Sequence, residues 1–175
     1  MAGSLVKIDE EIVTSAVASV TLGGSNWDSS YDVYMVRYNK VETSGTSAQD
    51  VRFRFLVSGT PDTSANYDYA DKFLRDYGTF ADNYGTNQTS LHSSVINSAN
   101  STQDNGILYL FNFNNASEYS FCTVEYTSRN TRPGLGGGQG GGVLTVAQAT
   151  NGVQFFLALG DNIDSGHFVL YGLKK

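Results

Sequence analysis

The stretch that most constrains this chain is Gly152 to Lys175, GVQFFLALGDNIDSGHFVLYGLKK. Val153–Leu159 and His167–Leu173 are short apolar runs, rich in aromatic and branched side chains, either side of a polar turn from Gly160 to Gly166. Runs of that length bounded by glycine read as strands rather than as a helix. In the first, Val153, Phe155, Leu157 and Leu159 share one face, while Phe156 and Ala158 take the other, so both faces read as buried. In the second, His167, Val169, Tyr171 and Leu173 alternate with Phe168 and Leu170. The pair is expected to close as a hairpin of central strands, with Phe155, Leu157, Phe168, Leu170 and Tyr171 in the core. On that reading Tyr171→Asp abolishes soluble assembly, because an unpaired charge is buried.

The remainder of the chain continues the pattern. Leu5–Ile8 and Ala16–Leu22 read as strands interrupted by Asp9-Glu10-Glu11, and Gly23–Asn26 as a turn. Tyr31–Val41 alternates. In Val51–Val57 the apolar residues Val51, Phe53, Phe55 and Val57 face a core, while Arg52 and Arg54 face out. Tyr69, Phe73 and Tyr77 recur at four-residue intervals before Gly78, which predicts a short helix or an extended loop over 67–77. Asn83–Asn87 is turn-like and Ser90–Ile96 a weak strand. Ile107–Phe113 and Tyr119–Thr127 predict a hairpin, and Val143–Ala147 a strand entered from the glycine-rich loop 134–142. About eight to ten short strands in one domain, 1–175, predict an all-β fold, a jelly-roll-like β-sandwich. Met1–Ser4 reads as a flexible or docking tail.

Composition narrows the function. Glycine (19) is abundant, proline (2) scarce and aromatics reach 13%, which suits strands and turns. Only 16% of residues are charged, so part of the surface is expected to be shared with partner subunits. With 11 Lys and Arg against 17 Asp and Glu, and a net charge of −6, phosphate neutralisation is disfavoured and no nucleic-acid partner is expected. Cys122, the only cysteine, excludes an intrachain disulfide and a Cys-based metal site. Met1–Glu11 lacks the basic start and apolar core of a signal peptide, and no apolar run reaches the ~20 residues of a membrane span.

Candidate sites are few. The glycine-rich loop lacks the Lys-Ser or Lys-Thr of a phosphate loop, since Val143 follows Gly142 directly. His92 and His167 have no paired spacing for zinc and no nucleophile elbow nearby, and both read as structural or surface histidines. Asp161, Asn162 and Asp164 in one turn, and Asp68 and Asp71 in another, are weak calcium candidates, because one turn supplies about half of the oxygens calcium needs. Asp and Asn more often end strands by bonding their own backbone. Glu118 and Glu125 are set to point to opposite faces, so paired-carboxylate hydrolysis is not expected. No enzyme activity and no cofactor are expected. Trp27, Tyr67, Tyr69, Tyr77 and Tyr84 read as exposed loop aromatics, placed to meet a neighbouring subunit or, as the second choice, to stack on sugar rings of a glycan.

Several segments carry a resemblance. The ending Asn162-Ile163-Asp164-Ser165-Gly166, then Phe168, Leu170, Tyr171, Gly172 and Leu173, is similar to the C-terminus of small virion structural proteins of tailed bacteriophages, particularly marine phages and those of cyanobacteria. Ser30–Tyr34, Asn105–Phe111 and Gln139–Val143 agree with it, so it runs through most of the chain after about residue 20. The resemblance has no catalytic signature. It implies a β-sandwich displayed on a phage particle, as a tail or fibre component or a knob or decoration protein of the capsid. Made in the host cytoplasm and located in the virion, such a protein is expected to pair with copies of itself, most simply as a trimer, and with other virion proteins. A carbohydrate-binding module for a host-surface glycan is the alternative.

Overall fold

In the computed structural model, residues 4–43, 45, 48–76, 78–96, 103–130 and 134–173 are described. Thirteen strands run through them: β1 (Leu5–Val13), β2 (Ser19–Gly23), β3 (Val33–Thr43), β4 (Gln49–Val57), β5 (Thr60–Pro61), β6 (Tyr67–Arg75), β7 (Ala81–Gln88), β8 (Leu91–Ile96), β9 (Asp104–Phe111), β10 (Ser120–Asn130), β11 (Gly134–Leu144), β12 (Gly152–Leu157) and β13 (Ile163–Leu173). Among the described residues, the 3-10 turn Gly24–Asn26 is the only helical element. Eight strands form one antiparallel sheet in the order β1-β13-β3-β9-β10-β11-β6-β7. The smaller sheet runs β2-β12-β4, and β8 and β5 share the far side of β4. The chain is an all-β, two-sheet sandwich.

Alternation explains which faces meet. Phe53 and Phe55 of β4 and Val153 and Phe155 of β12 point inward from the small sheet. Tyr38 of β3, Leu108 of β9 and Phe168 of β13 point inward from the large one, all fully buried. The Phe155 ring is the centre of this layer. It lies 5.3 Å from Phe168 and 5.6 Å from Tyr38 across the gap, and 5.8 Å from Phe53 beside it. Face-to-face sheets stand about 10 Å apart, a gap that interdigitated aromatic rings fill.

The closing pair of strands is not a hairpin. β12 pairs with β2 and β4 in the small sheet, whereas β13 pairs with β1 and β3 in the large one, so the turn between them crosses from layer to layer. Phe155 and Phe168 therefore meet across the gap between the sheets, their rings tilted by 46°, instead of side by side in one sheet. Phe155, Leu157, Phe168 and Leu170 are buried as expected. Tyr171 is not in the core: it is half-buried on the outer face of the large sheet, level with Lys7 and Met35. Its parity matches Val169, not Phe168, so Tyr171→Asp buries no charge between the sheets.

Other differences have local causes. Asp9-Glu10-Glu11 does not interrupt β1, because a register shift between Lys7 and Asp9 absorbs the extra residue as a bulge. Segment 67–75 is strand β6, not a helix. A four-residue spacing is also a multiple of two, and Tyr67, Asp71 and Phe73 share the inner face. The turn-like stretch Asn83–Asn87 lies within β7; of the strand placed at Val143–Ala147 only Val143 and Leu144 are strand, as the end of β11, which begins at Gly134 and takes in the supposed loop. β11 is central, paired with β10 on one side and β6 on the other. Its glycines make room. A Cβ on Gly138 would stand 2.5 Å from the Tyr126 ring, and those on Gly140 and Gly142 would strike the Ala70 carbonyl and the Leu91 side chain. Of the expected tail Met1–Ser4, only Ser4 is described, and it is exposed.

Gly140→Ala is expected to lower stability by about 1–3 kcal/mol, because the added carbon meets backbone that cannot yield. Gln139→Ala, on the exposed side of the same strand, is expected to stay within about 0.5 kcal/mol of wild type. Urea denaturation checks both. In the same assay Phe168→Asp is expected to leave no folded protein, while Tyr171→Asp keeps a cooperative transition.

Candidate functional site

The outer face of the eight-stranded sheet gathers most of the exposed apolar side chains. The register sets them in rows across the strands. One row carries Glu10, Arg37, Ile107, Glu125 and Lys72; the next carries Tyr171, Met35, Tyr109, Thr123 and Gly141. Phe111 and Phe121 stand side by side in a third. Tyr109 and Phe121 are exposed, as are Leu74, Phe80, Tyr84 and Leu135 toward the β7 side of the sheet. Where β6 ends, Leu74, Phe80, Leu135 and Ile107 wall an open groove of about 650 Å³. Arg37, Asn105, Glu125 and Gln139 bring polar groups to it, and the glycines of β11 form part of its floor.

The aromatic residues picked from the sequence are mostly elsewhere. Trp27 caps one end of the sandwich. Its ring packs 4.0 Å from Tyr34 and 5.6 Å from Phe113, and its indole N–H donates to Asn114 Oδ1 at 2.6 Å. Tyr67 is fully buried, donating to the Asp62 carbonyl at 3.1 Å and accepting from the Phe55 N–H at 3.2 Å. Tyr69 is half-buried on the inner face, its ring 6.0 Å from His92 and covered by the Arg52 guanidinium at 5.8 Å. Tyr77 lies outside the described residues. Tyr84 is exposed, and it alone of the described four sits on the large outer face. Tyr67 and Tyr69 lie on a strand, so parity rather than loop position decides their exposure, whereas Trp27 follows the 3-10 turn and is covered by the rings it packs against.

The acidic candidates are likewise dispersed. Asp161 accepts a hydrogen bond from the Gln49 amide. Asp68 accepts from the Asn87 N–H at 2.8 Å and Asp71 turns inward. Among the described residues no three His, Cys, Asp or Glu side chains gather where they would hold a metal ion. Among the same residues no helix is long and apolar enough to cross a membrane.

A polar seam between the sheets escaped the sequence reading. His92 of β8 is buried, and its Nδ1 lies 2.8 Å from Asp71 Oδ2 on β6. Against an ionised carboxylate, which only accepts, Nδ1 is the nitrogen that donates. Asn83 donates to the same oxygen at 3.0 Å. Tyr38 bonds Ser93 at 2.9 Å, and Ser94 donates to Asp104, which is fully buried. Among the described residues, Asp71 Oδ1, His92 Nε2, Asp104 Oδ1 and Tyr126 Oη are buried and find no hydrogen-bond partner. Burial pushes the Asp104 carboxyl up to about 7, and it raises the hydroxyls of Tyr38 and Tyr126 as well. The Asp71–His92 pair has the form of a carboxylate-oriented imidazole. Yet the ring is enclosed beside Tyr69 and Tyr126, and both neighbouring serines are hydrogen-bonded to buried partners. The alternating Leu-His-Ser-Ser-Val of β8 was the available signal: its polar residues sit where a buried strand would carry apolar ones. Cys122 is enclosed too, its thiol pushed up to about 12 by burial, and so it stays an unreactive thiol.

Fold and face together define an antiparallel β-sandwich with one broad apolar-aromatic sheet surface. No protein-family model matches the chain, and neither a curated protein nor a solved structure does.

Asp104 gives the fold a pH dependence whose sign is fixed. Its folded pKa, about 7, lies above the ordinary carboxylate value of 3.8, so between these values the folded state holds the proton that the unfolded chain releases. Its stabilising contribution is full below pH ~4 and lost as pH rises to about 7. Asp104→Asn, which mimics the protonated acid, is expected to flatten that part of the profile relative to wild type. Urea midpoints measured from pH 4 to 8 check this; parallel profiles would contradict it.

Proposed function

We propose that this protein is a non-enzymatic structural component of a bacteriophage virion, working as a symmetric oligomer of β-sandwich domains in the tail or fibre apparatus or on the capsid surface. The observation that carries the proposal is the outer face of the eight-stranded sheet, where Phe121 (42% exposed) and Leu135 (56%) stand in the open on an antiparallel platform, with Phe80 (59%) in the loop beside them. Such a surface suits protein contact. The likeness of Asn162–Leu173 to phage virion proteins supplies the setting. The buried histidine seam and the enclosed cysteine favour a structural over a catalytic role, since neither group meets solvent. The protein would be made in the host cytoplasm and carried in the particle.

A second reading, recognition of a host-surface glycan, is favoured by the groove. Phe80 offers a ring face there, with Arg37, Asn105 and Gln139 as polar groups around it.

Gold-labelled antibody against this chain, applied to purified phage particles under the electron microscope, tests the proposal. Label on the head or on the tail is expected, and each would assign a position. Absence of the chain from particles by mass spectrometry would sink it. A glycan array giving a signal that Phe80→Ala abolishes would favour the second reading.

A further inference from the structure

We infer that the outer face of the eight-stranded sheet is a contact between two copies of this chain, related by a twofold axis lying along β9. This rests on the self-assembling reading above and names the surface and symmetry it uses. Neighbouring strands are about 4.8 Å apart, so each row across the sheet is a ruler marked in strands. Half a turn about an axis along β9 brings the face onto a second copy, and it exchanges positions equally distant on the two sides of β9.

The exchange matches charges. One strand from β9, Arg37 lies on β3 and Glu125 on β10, level with Ile107 between them. The twofold sets Arg37 of each copy opposite Glu125 of the other. Within one chain these two are about 10 Å apart, too far to pair. Both are exposed, and among the described residues neither makes an ion pair or side-chain hydrogen bond. Three strands out, Lys72 on β6 meets Glu10 on β1, each already paired in its own chain but opposite in sign. No like charges are brought together in this row.

The next row matches shape. Two strands from β9 the half-buried Tyr171 ring stands on one side and Gly141, with no side chain, on the other. The rotation lays each ring over the partner's bare backbone. Tyr109, on the axis strand, meets its own counterpart, and Met35 meets Thr123.

Size and charge agree with this. The face measures about 34 by 30 Å from strand spacing and length, hence about 1,000 Å² per copy. A standard interface needs about 800 Å² per partner. The chain carries −6, yet the two rows hold three cations (Lys7, Arg37, Lys72) and three carboxylates (Glu10, Glu125, Asp82). These two rows are neutral where the molecule as a whole repels its copies. Stacked twisted sheets cross at about 30°, which tilts the axis roughly 15° from β9 and leaves the central pairs opposed.

Charge reversal tests the register directly. Sedimentation velocity at tens of micromolar is expected to show wild type at twice the 18.9 kDa of one chain. Arg37→Glu and Glu125→Arg each put two like-charge contacts into a dimer and are expected to weaken it at least tenfold. The double variant restores opposite signs and is expected to recover wild-type association to within about threefold. Unchanged circular-dichroism melts establish that all variants fold. A monomeric wild type, or single variants that associate as wild type does, would overturn the inference. Association that ignores these charges would place the contact on another face and leave the assembly reading standing, because that reading fails only on the particle measurement.

Discussion

Everything in this fold depends on the aromatic layer between the sheets, and within it on Phe155. Its ring touches the level of Phe53 in its own sheet and of Tyr38 and Phe168 in the other. Non-directional burial drives the layers together, and a Phe removed from such a place costs about 3–5 kcal/mol. Ring geometry then fixes how the layers sit, because offset and tilted contacts are preferred to flat stacking. The aromatic centre also explains the turn after β12. Residues on one face of β12 and one face of β13 satisfy each other best across the gap, not along a shared ladder.

Beside this apolar centre lies a polar counterpart. Asp71 and Tyr126, which join His92 and Asp104 in this seam, sit under the glycine strand β11, and the two features depend on each other. Large inward groups such as Tyr126 and Leu91 occupy the volume that side chains on Gly138 and Gly142 would need. Hydrogen bonds from β8 to β6 and β9 then fix the small sheet's edge against the large one. Hydrophobic contact is tolerant of sliding, whereas a carboxylate–imidazole bond is not, so the seam sets the relative position of the layers.

Much of the architecture was legible in residue patterns. Val51, Phe53 and Phe55 alternating with Arg52 and Arg54 specify a strand with one wet side, and they form it. The Ile107 and Phe121 arms pair as a hairpin in the register their alternation allows. Three things were hidden for physical reasons. Glycine carries no hydropathy, so β11 reads as a loop although neighbours on both sides demand it. The spacing of Tyr69 and Phe73 fits a helix and a strand alike. A hairpin and a crossing between layers have the same periodicity, so Phe155 and Phe168 reveal burial but not who lies opposite. The candidate surface was less legible. Exposure of Tyr67 and Tyr69 depends on which side of a strand they occupy, Trp27 is covered by the Tyr34 and Phe113 rings, and the seam joins residues distant in sequence, such as His92 with Asp71 and Ser93 with Tyr38, that only the folded sheets assemble.

The strand order carries a consequence for how the protein is made. β1 has a single neighbour, β13, and β13 also fills the place between β1 and β3. A ribosome delivers β1 long before β13, so β1 and one side of β3 wait unpaired until β13 emerges. Such distant pairing slows folding and leaves open edges that attract other nascent chains. The sheet closes in a late, nearly all-or-none event as β13 slots in. Any protein that builds assemblies from this domain therefore releases subunits competent to join only after that final strand has been inserted.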